Sequence, residues 1–463
     1  MKQRYWLMIL CAAVLSSAVL GAGKEKGDEG DDEVQAKPET GPDGLPVFRH
    51  PYTDGLYSTV TAMNMFYVPE DDLRRLKKSK LKVPGFKRDV PVHSVMQDYQ
   101  APLVVVLLGV DGKVSGPFGG LFPYWYSEAG YHVLTFDSSF SPPYTEISAQ
   151  GVVGNFEAEA DQAAQIIATF LKTPEAKNVT QVGVVGISFG GTEALHMAAK
   201  AKEGKLPFEL SGCLALCPPL RMKTAATVVD RFFADDRWDT TMVELAKKFG
   251  PHAPVAEGQA IPFSPSEMRA AIGFVFRDGL TEVVERNDRV YRLKILPSEE
   301  SGENRKVYAE ATSFTRFMEE YTFPYWQKKG ALKSADDLWN SCDVTRLLPK
   351  LPAWAEVIVA SNDPFISEQD LADAKAADKN RNLTVVPRGG HLGFISADWT
   401  LVKALRIFKR KGGEAPPSPD APAIEDKRTR DQARREALDA VDEALKREVP
   451  PEEKKKDARK DRK

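Results

Sequence analysis

The residues Gly186-Ile187-Ser188-Phe189-Gly190-Gly191 place a serine between glycines two positions away on either side. The spacing matches G-x-S-x-G in which a strand turns sharply into a helix and lifts the serine hydroxyl above a sheet. So tight a turn strains the central residue and leaves no room for side chains at the flanking glycines. The chemistry would be nucleophilic attack by Ser188 on an acyl carbon. The Phe189 N–H, at the start of the helix, is placed to donate to the oxyanion. A phosphate-binding loop fits poorly, because the Lys-Ser/Thr pair and the G-x-G-x-x-G spacing are both missing.

A neutral serine needs a base. The chain has six histidines. His50 precedes the strand–helix region, His93 and His132 fall in or beside strands, His196 lies inside the helix after Ser188, and His252 lies in a distinct middle region. His391 stands on a loop after the last strand, in Pro387-Arg388-Gly389-Gly390-His391-Leu392-Gly393-Phe394, where glycines on both sides let the backbone present the imidazole. The base needs a carboxylate that fixes its tautomer. Asp363, in Ser361-Asn362-Asp363-Pro364 at the end of the penultimate strand, fills that role. A second oxyanion donor is expected from the loop Leu108-Gly109-Val110-Asp111-Gly112, with Val110 as the candidate.

Elements that would position these residues can be read from hydropathy. Leu56–Phe66 and Val90–Gln97 read as early strands. Ala101–Leu108 is a continuous apolar run of the kind buried on both faces of a sheet, Val179–Ile187 is another buried run, and Ala355–Ala360 reads as a later strand. Tyr131–Phe136, Cys213–Leu216 and Leu383–Val386 read as shorter strands. Phe156–Leu171, Thr192–Ala201, Ser367–Ala377 and Ala397–Lys409 have helical spacing. The alternation predicts an α/β fold, a parallel sheet with helices on both faces. Ligands of such sheets sit outside the carboxyl ends of the strands, where Ser188, Asp363 and His391 all fall.

The segments GISFGG (186–191), SNDPF (361–365) and GGHLGF (389–394), together with the order Ser, Asp, His, resemble the α/β-hydrolase superfamily, especially its YheT-like branch. The resemblance spans about Leu45–Lys411 apart from a middle insertion. It implies a mostly parallel eight-stranded sheet, a triad of Ser188, Asp363 and His391, and hydrolysis of an ester or related acyl bond without a cofactor. Leu108-Gly109 stands where such folds usually carry His-Gly.

The insertion, 220–345, occupies the place of the cap in such hydrolases. Residues 220–340 contain 16 aromatic side chains among 121, against 9% aromatic for the whole chain. That enrichment fits both a core of its own and the lining of an apolar acyl pocket.

The 463 residues carry 63 basic and 66 acidic side chains and are 42% hydrophobic. This composition excludes a wholly disordered chain and a multi-pass membrane protein. A net charge of −3 gives no overall field toward nucleic acid. Lys2 and Arg4, the apolar run Trp6–Leu20 and Gly21-Ala22-Gly23 read as a signal peptide over 1–23, with an uncleaved anchor as the alternative. The expected location is therefore periplasmic or secreted. Residues 24–44 hold eight acids and three bases and read as a disordered linker. The hydrolase core is then 45–219 and 346–411. The tail 412–463 has 14 acids and 14 bases and reads as largely disordered. Its last ten residues carry seven bases, a candidate contact for an anionic surface. Of four cysteines, Cys213, Cys217 and Cys342 read as buried thiols, with one disulfide using Cys342 as the alternative. No cluster has metal-ligand spacing.

The sequence therefore predicts an exported serine hydrolase acting on an apolar carboxylester. An amide or peptide hydrolase of the same fold, and a non-catalytic envelope binding protein, are the alternatives.

Overall fold

The computed structural model describes residues 52–62, 75–148, 151–234, 263–298, 304–395 and 397–408. The segments 1–23, 24–44 and 412–463, together with His50 and His252, lie outside the described residues.

Eight strands form one sheet: β1 (Lys77–Leu81), β2 (Val90–Val95), β3 (Ala101–Leu107), β4 (His132–Thr135), β5 (Val179–Ile187), β6 (Gly212–Leu216), β7 (Ala355–Ala360) and β8 (Leu383–Val386). Their spatial order is β1-β2-β4-β3-β5-β6-β7-β8. β2 runs antiparallel to β1 and to β4, and every other pairing is parallel. This is the α/β-hydrolase fold expected from the motifs.

The central strands are apolar throughout because both faces are covered. Leu103, Val105 and Leu107 of β3 point into a cluster with Ile166, Ile167 and Phe170 of the helix Phe156–Phe170 and Leu195 of the helix Phe189–Lys202. The alternate residues Val104 and Val106, with Leu108 just beyond the strand, join Phe122, Tyr126, Trp399 and Phe408 on the other face. A period of two in a strand distributes side chains in this way. At one edge, β1 reads KKSKL with most of its side chains outward. It lacks the apolar alternation that would mark it in sequence, and lysines on an edge strand discourage pairing with other chains.

One sequence expectation is corrected. Leu56–Phe66 was expected to be a strand, yet Gly55–Ala62 is a helix. Asp54 accepts the Tyr57 N–H at 2.7 Å and caps it. The hydroxyls of Ser58, Thr59 and Thr61 bond back to the carbonyls of Asp54, Gly55 and Tyr57. These hydroxyls satisfy themselves inside the helix, and packing overrides the β-branched preference for strands.

Between β6 and β7 the chain leaves the sheet for the helical insertion. Its longest element, Pro265–Tyr291, has 27 residues and starts at a capping box of Ser264 and Glu267. Its apolar residues Ile272, Leu280, Val283 and Val284 share a cluster with Phe314, Phe317 and Trp339 of the insertion, and with Phe140, Phe156, Phe189 and Phe365 of the sheet domain. Two hydrogen bonds add direction: Thr322 Oγ1 donates to Val153 O and Trp326 Nε1 to Val152 O, each at 2.7 Å. The insertion is thus a cap seated over the carboxyl ends of the strands. Among the described residues, the buried aromatics of the insertion serve its own core and its contact with the sheet domain together.

Candidate active site

β5 ends at Ile187, and Ser188 follows with φ 53° and ψ −118°. This left-handed backbone is costly for a residue with a Cβ and persists only where the surroundings enforce it. The surroundings here are backbone. A Cβ on Gly186 would lie 2.1 Å from Gly190 O, and one on Gly190 would lie 2.5 Å from Leu107 O. Both glycines are therefore fixed by steric necessity, as the motif requires.

The turn delivers Ser188 Oγ to 2.9 Å from His391 Nε2, and His391 Nδ1 lies 2.8 Å from Asp363 Oδ2. The other Asp363 oxygen accepts the Phe365 N–H at 2.9 Å, so the carboxylate cannot rotate away. Asp363 and His391 are each only 3% exposed and Ser188 is 7% exposed. Charge that develops on the imidazole is stabilised by the carboxylate in a site largely shielded from water. Asp363 and Ser188, 28 and 203 positions away from His391 in sequence, form one hydrogen-bonded chain with it. The ring of Phe365 meets the imidazole edge-on at 4.8 Å and limits its rotation.

Phe189 is the first residue of its helix, so its N–H has no partner in the preceding turn. Val110 stands on the loop after β3, next to Gly109. A Cβ on Gly109 would lie 3.3 Å from Ser188 Cβ, so this loop runs directly beside Ser188. The loop is pinned by Asp111 N–H to Phe140 O at 2.9 Å, Gly112 N–H to Gly109 O at 2.9 Å and Ser138 N–H to Gly112 O at 2.8 Å. The Val110 side chain, partly buried, packs against the cluster shared by the insertion and the sheet domain.

The remaining described histidines stand elsewhere. His132 accepts from Gln97 N–H at 3.0 Å and lies 3.1 Å from Asn178 O. His196 lies 2.8 Å from Ser341 O, and burial pushes its pKa down to about 4. His93 is half-buried on β2. Cys213, Cys217 and Cys342 are all free thiols in the interior. Burial raises the pKa of each, as inert core cysteines require.

Three residues that support the site were given no role there by the sequence. The sulfur of Cys217 accepts the Leu392 N–H at 3.3 Å, and both residues have positive φ, 50° and 71°. Thr59 and Asn362 hold the loops that carry His391 and Asp363. Asn362 lies within SNDPF, yet its hold on the neighbouring loop, like those of Thr59 and Cys217, is not legible in sequence, because the partners are backbone groups distant along the chain. Cys217, Asp363 and His391 also bring ligand-type atoms within 4.8 Å of one another, the one such grouping among the described residues. Each of the three is already engaged: His391 by Ser188 and Asp363, Asp363 by His391 and Phe365, and Cys217 by Leu392. The donor set suits proton transfer along the triad better than a cation.

A second polar cluster lies inside the sheet domain. Ser139 Oγ is 3.1 Å from Glu159 Oε2 and 2.5 Å from Glu193 Oε1, and the Gly154 N–H donates to Glu159 Oε1 at 2.5 Å. Burial raises the pKa of both carboxyls, and for Glu193 the neighbouring Glu159 adds to the rise.

The sequence model of the alpha/beta hydrolase family matches residues 114–403. No curated protein matches the chain. Among solved structures, an esterase of Pyrococcus furiosus is 12% identical, with 73% of this chain and 92% of that one covered at a TM-score of 0.39. An esterase of Pyrobaculum calidifontis is 15% identical, with 75% and 86% covered at a TM-score of 0.37. A proline iminopeptidase of Mycobacterium smegmatis is 13% identical, with 71% and 96% covered at a TM-score of 0.34. The family match is broad and does not reach the YheT-like branch. With 114–403 matched and the sheet order of that fold in place, the chain belongs to the alpha/beta hydrolase family.

Proposed function

We propose that the protein is a serine hydrolase that cleaves carboxylesters with apolar acyl or alkyl groups through an acyl-enzyme. The observation that carries this is the strained Ser188, hydrogen-bonded to His391 at 2.9 Å, with His391 bonded in turn to Asp363 at 2.8 Å. A binding protein has no use for all three.

Ser188 Oγ bonds to the ester carbon while its proton passes to His391 Nε2. Asp363 stabilises the imidazolium. The carbonyl oxygen becomes an oxyanion held by the N–H groups of Phe189 and Val110. The C–O bond to the leaving alkoxide then breaks, and His391 returns the proton to that oxygen. Water attacks the acyl-enzyme, giving its proton to His391 as its oxygen bonds to carbon. Collapse expels Ser188 Oγ, which takes the proton back. Every proton is accounted for without a metal or cofactor.

The apolar preference rests on the rings near the imidazole. Phe276 of the cap lies 5.3 Å from Phe365, which itself touches His391. An acyl chain entering there replaces ring contacts with its own. Residues 1–23, read as a signal peptide, place the enzyme outside the cytoplasm in this proposal. Detection of a mature chain starting near Lys24 in the extracellular or periplasmic fraction tests that part.

A fluorophosphonate probe tests the chemistry. Wild type is expected to label, and Ser188→Ala is expected not to. A folded wild type that never labels would sink the proposal. A series of nitrophenyl esters of graded acyl length, with the matching anilides, then separates ester from amide preference.

A further inference from the structure

We propose that Thr59 and Asn362 are positioning residues of the active site, and that the helix Gly55–Ala62, which precedes the whole sheet, is the clamp that holds the Asp363 and His391 loops in register with Ser188. The proposal rests on the reading of Ser188, His391 and Asp363 as a catalytic triad.

Thr59 Oγ1 accepts the backbone N–H of His391 at 2.8 Å. The same hydroxyl donates to Gly55 O at 2.7 Å. Its single proton is thereby committed, and a lone pair faces His391. Thr59 is 8% exposed, so water does not substitute readily for this bond. Asn362 works on the neighbouring residues. Its Oδ1 accepts the Gly390 N–H at 2.9 Å, and its Nδ2 donates to Thr53 O at 3.0 Å. Asn362 directly precedes Asp363, and Gly390 directly precedes His391. One amide therefore ties the residues adjoining two triad members to each other and to the chain entering the helix.

Backbone packing makes the clamp tight. A Cβ on Gly55 would lie 1.9 Å from Asn362 O. One on Gly390 would lie 2.3 Å from Gly55 O, and one on Gly393 would lie 2.6 Å from Ser58 O. Three glycines are thus consumed in letting the helix backbone touch both loops. The His391 loop needs an external hold. Gly389, Gly390 and Leu392 have φ of 131°, 54° and 71°, so no regular element fixes it. A loop of this kind keeps its conformation only where surrounding structure over-determines it.

The test uses the full-length chain, with fluorophosphonate labelling rates, steady-state ester hydrolysis and thermal melts on each variant. Thr59→Val keeps the shape and removes the acceptor. Thr59→Ser keeps the acceptor. The Val variant is expected to lose about 10- to 100-fold in kcat and labelling rate, with KM nearly unchanged, because small misplacement of a catalytic group is costly. The Ser variant is expected to recover most of the rate. Asn362→Ala is expected to show the same split. It also supplies an independent variant if Val at 59 prevents folding. Equal labelling rates for wild type and Thr59→Val overturn the proposal and leave the triad reading intact. Equal losses in the Val and Ser variants that simply follow their melting temperatures overturn it too, since that marks a structural role. Absence of labelling in wild type overturns the triad reading itself.

Discussion

A methyl group on Gly186 would lie 2.1 Å from the carbonyl oxygen of Gly190. Real Cβ atoms do not approach that closely, and the neighbouring atom is backbone that cannot swing aside. Gly186→Ala is therefore expected to open the turn that strains Ser188. Forced repacking of this kind typically costs about 1–3 kcal/mol. Chemical denaturation should show a lower midpoint, and ester hydrolysis should fall far more than stability does. An alanine variant with unchanged turnover would remove the steric argument for the motif.

Asp363→Asn should leave the fold standing and strike the chemistry. The amide can still receive the Phe365 N–H that Asp363 Oδ1 now accepts at 2.9 Å. It no longer stabilises an imidazolium, and it favours the wrong tautomer of His391. By analogy with triads in general, kcat should drop by about 10⁴-fold. The melting temperature should stay within a few degrees of wild type. His391→Ala should behave likewise. A large loss of folding with the rate per folded molecule preserved would argue for a structural role instead.

Phe276 tests what the cap selects. Its ring lies 5.3 Å from Phe365, whose edge-on contact with His391 is at 4.8 Å. Truncation to alanine should open room beside the acyl group. The expected result is a shift of kcat/KM toward longer nitrophenyl esters, by about tenfold for one or two added methylenes in an apolar pocket. Identical chain-length profiles for wild type and Phe276→Ala would mean that this ring does not line the acyl path.

The buried carboxyls of Glu159 and Glu193 make stability fall with rising pH. Desolvation raises both pKa values above the ordinary carboxylate range. One Ser139 proton cannot satisfy two carboxylates, so at least one carboxyl holds its own proton near neutrality. Among the described residues, the phenols of Tyr144 and Tyr291 and the Cys342 thiol also face the pair. A folded-state pKa above the unfolded one contributes stability that is complete below the unfolded value. That stability is lost as pH rises through the folded value. Melting temperature should decline on the alkaline side of neutrality, and Glu193→Gln should flatten the decline. Parallel curves for the two proteins would exclude the pair as the cause.

Much of the fold was legible because buried parallel strands announce themselves. Val179–Ile187, Ala355–Ala360 and Leu383–Val386 are rich in Val, Ile and Leu, each broken by at most two polar residues, and became strands with those boundaries. Elements whose residues face solvent or make unusual contacts were not legible. KKSKL of β1 has no apolar pattern to read. The Ser- and Thr-rich Gly55–Ala62 looks β-like until its hydroxyls are seen bonding to its own carbonyls.

The sequence by itself determined the sharp turn at Ser188 and picked out Asp363 and His391, which the structure brings into one hydrogen-bonded chain with it. Those depend on local sterics and on strand–loop alternation, and both are written in adjacent residues. Only the tertiary structure decided how the companions are held. Thr59, Asn362 and Cys217 act through backbone groups that lie 332, 28 and 175 positions away. A hydrogen bond to a backbone N–H asks little of the partner's side-chain identity, so it leaves no mark in the partner's sequence. Its existence follows from how the loops meet in space.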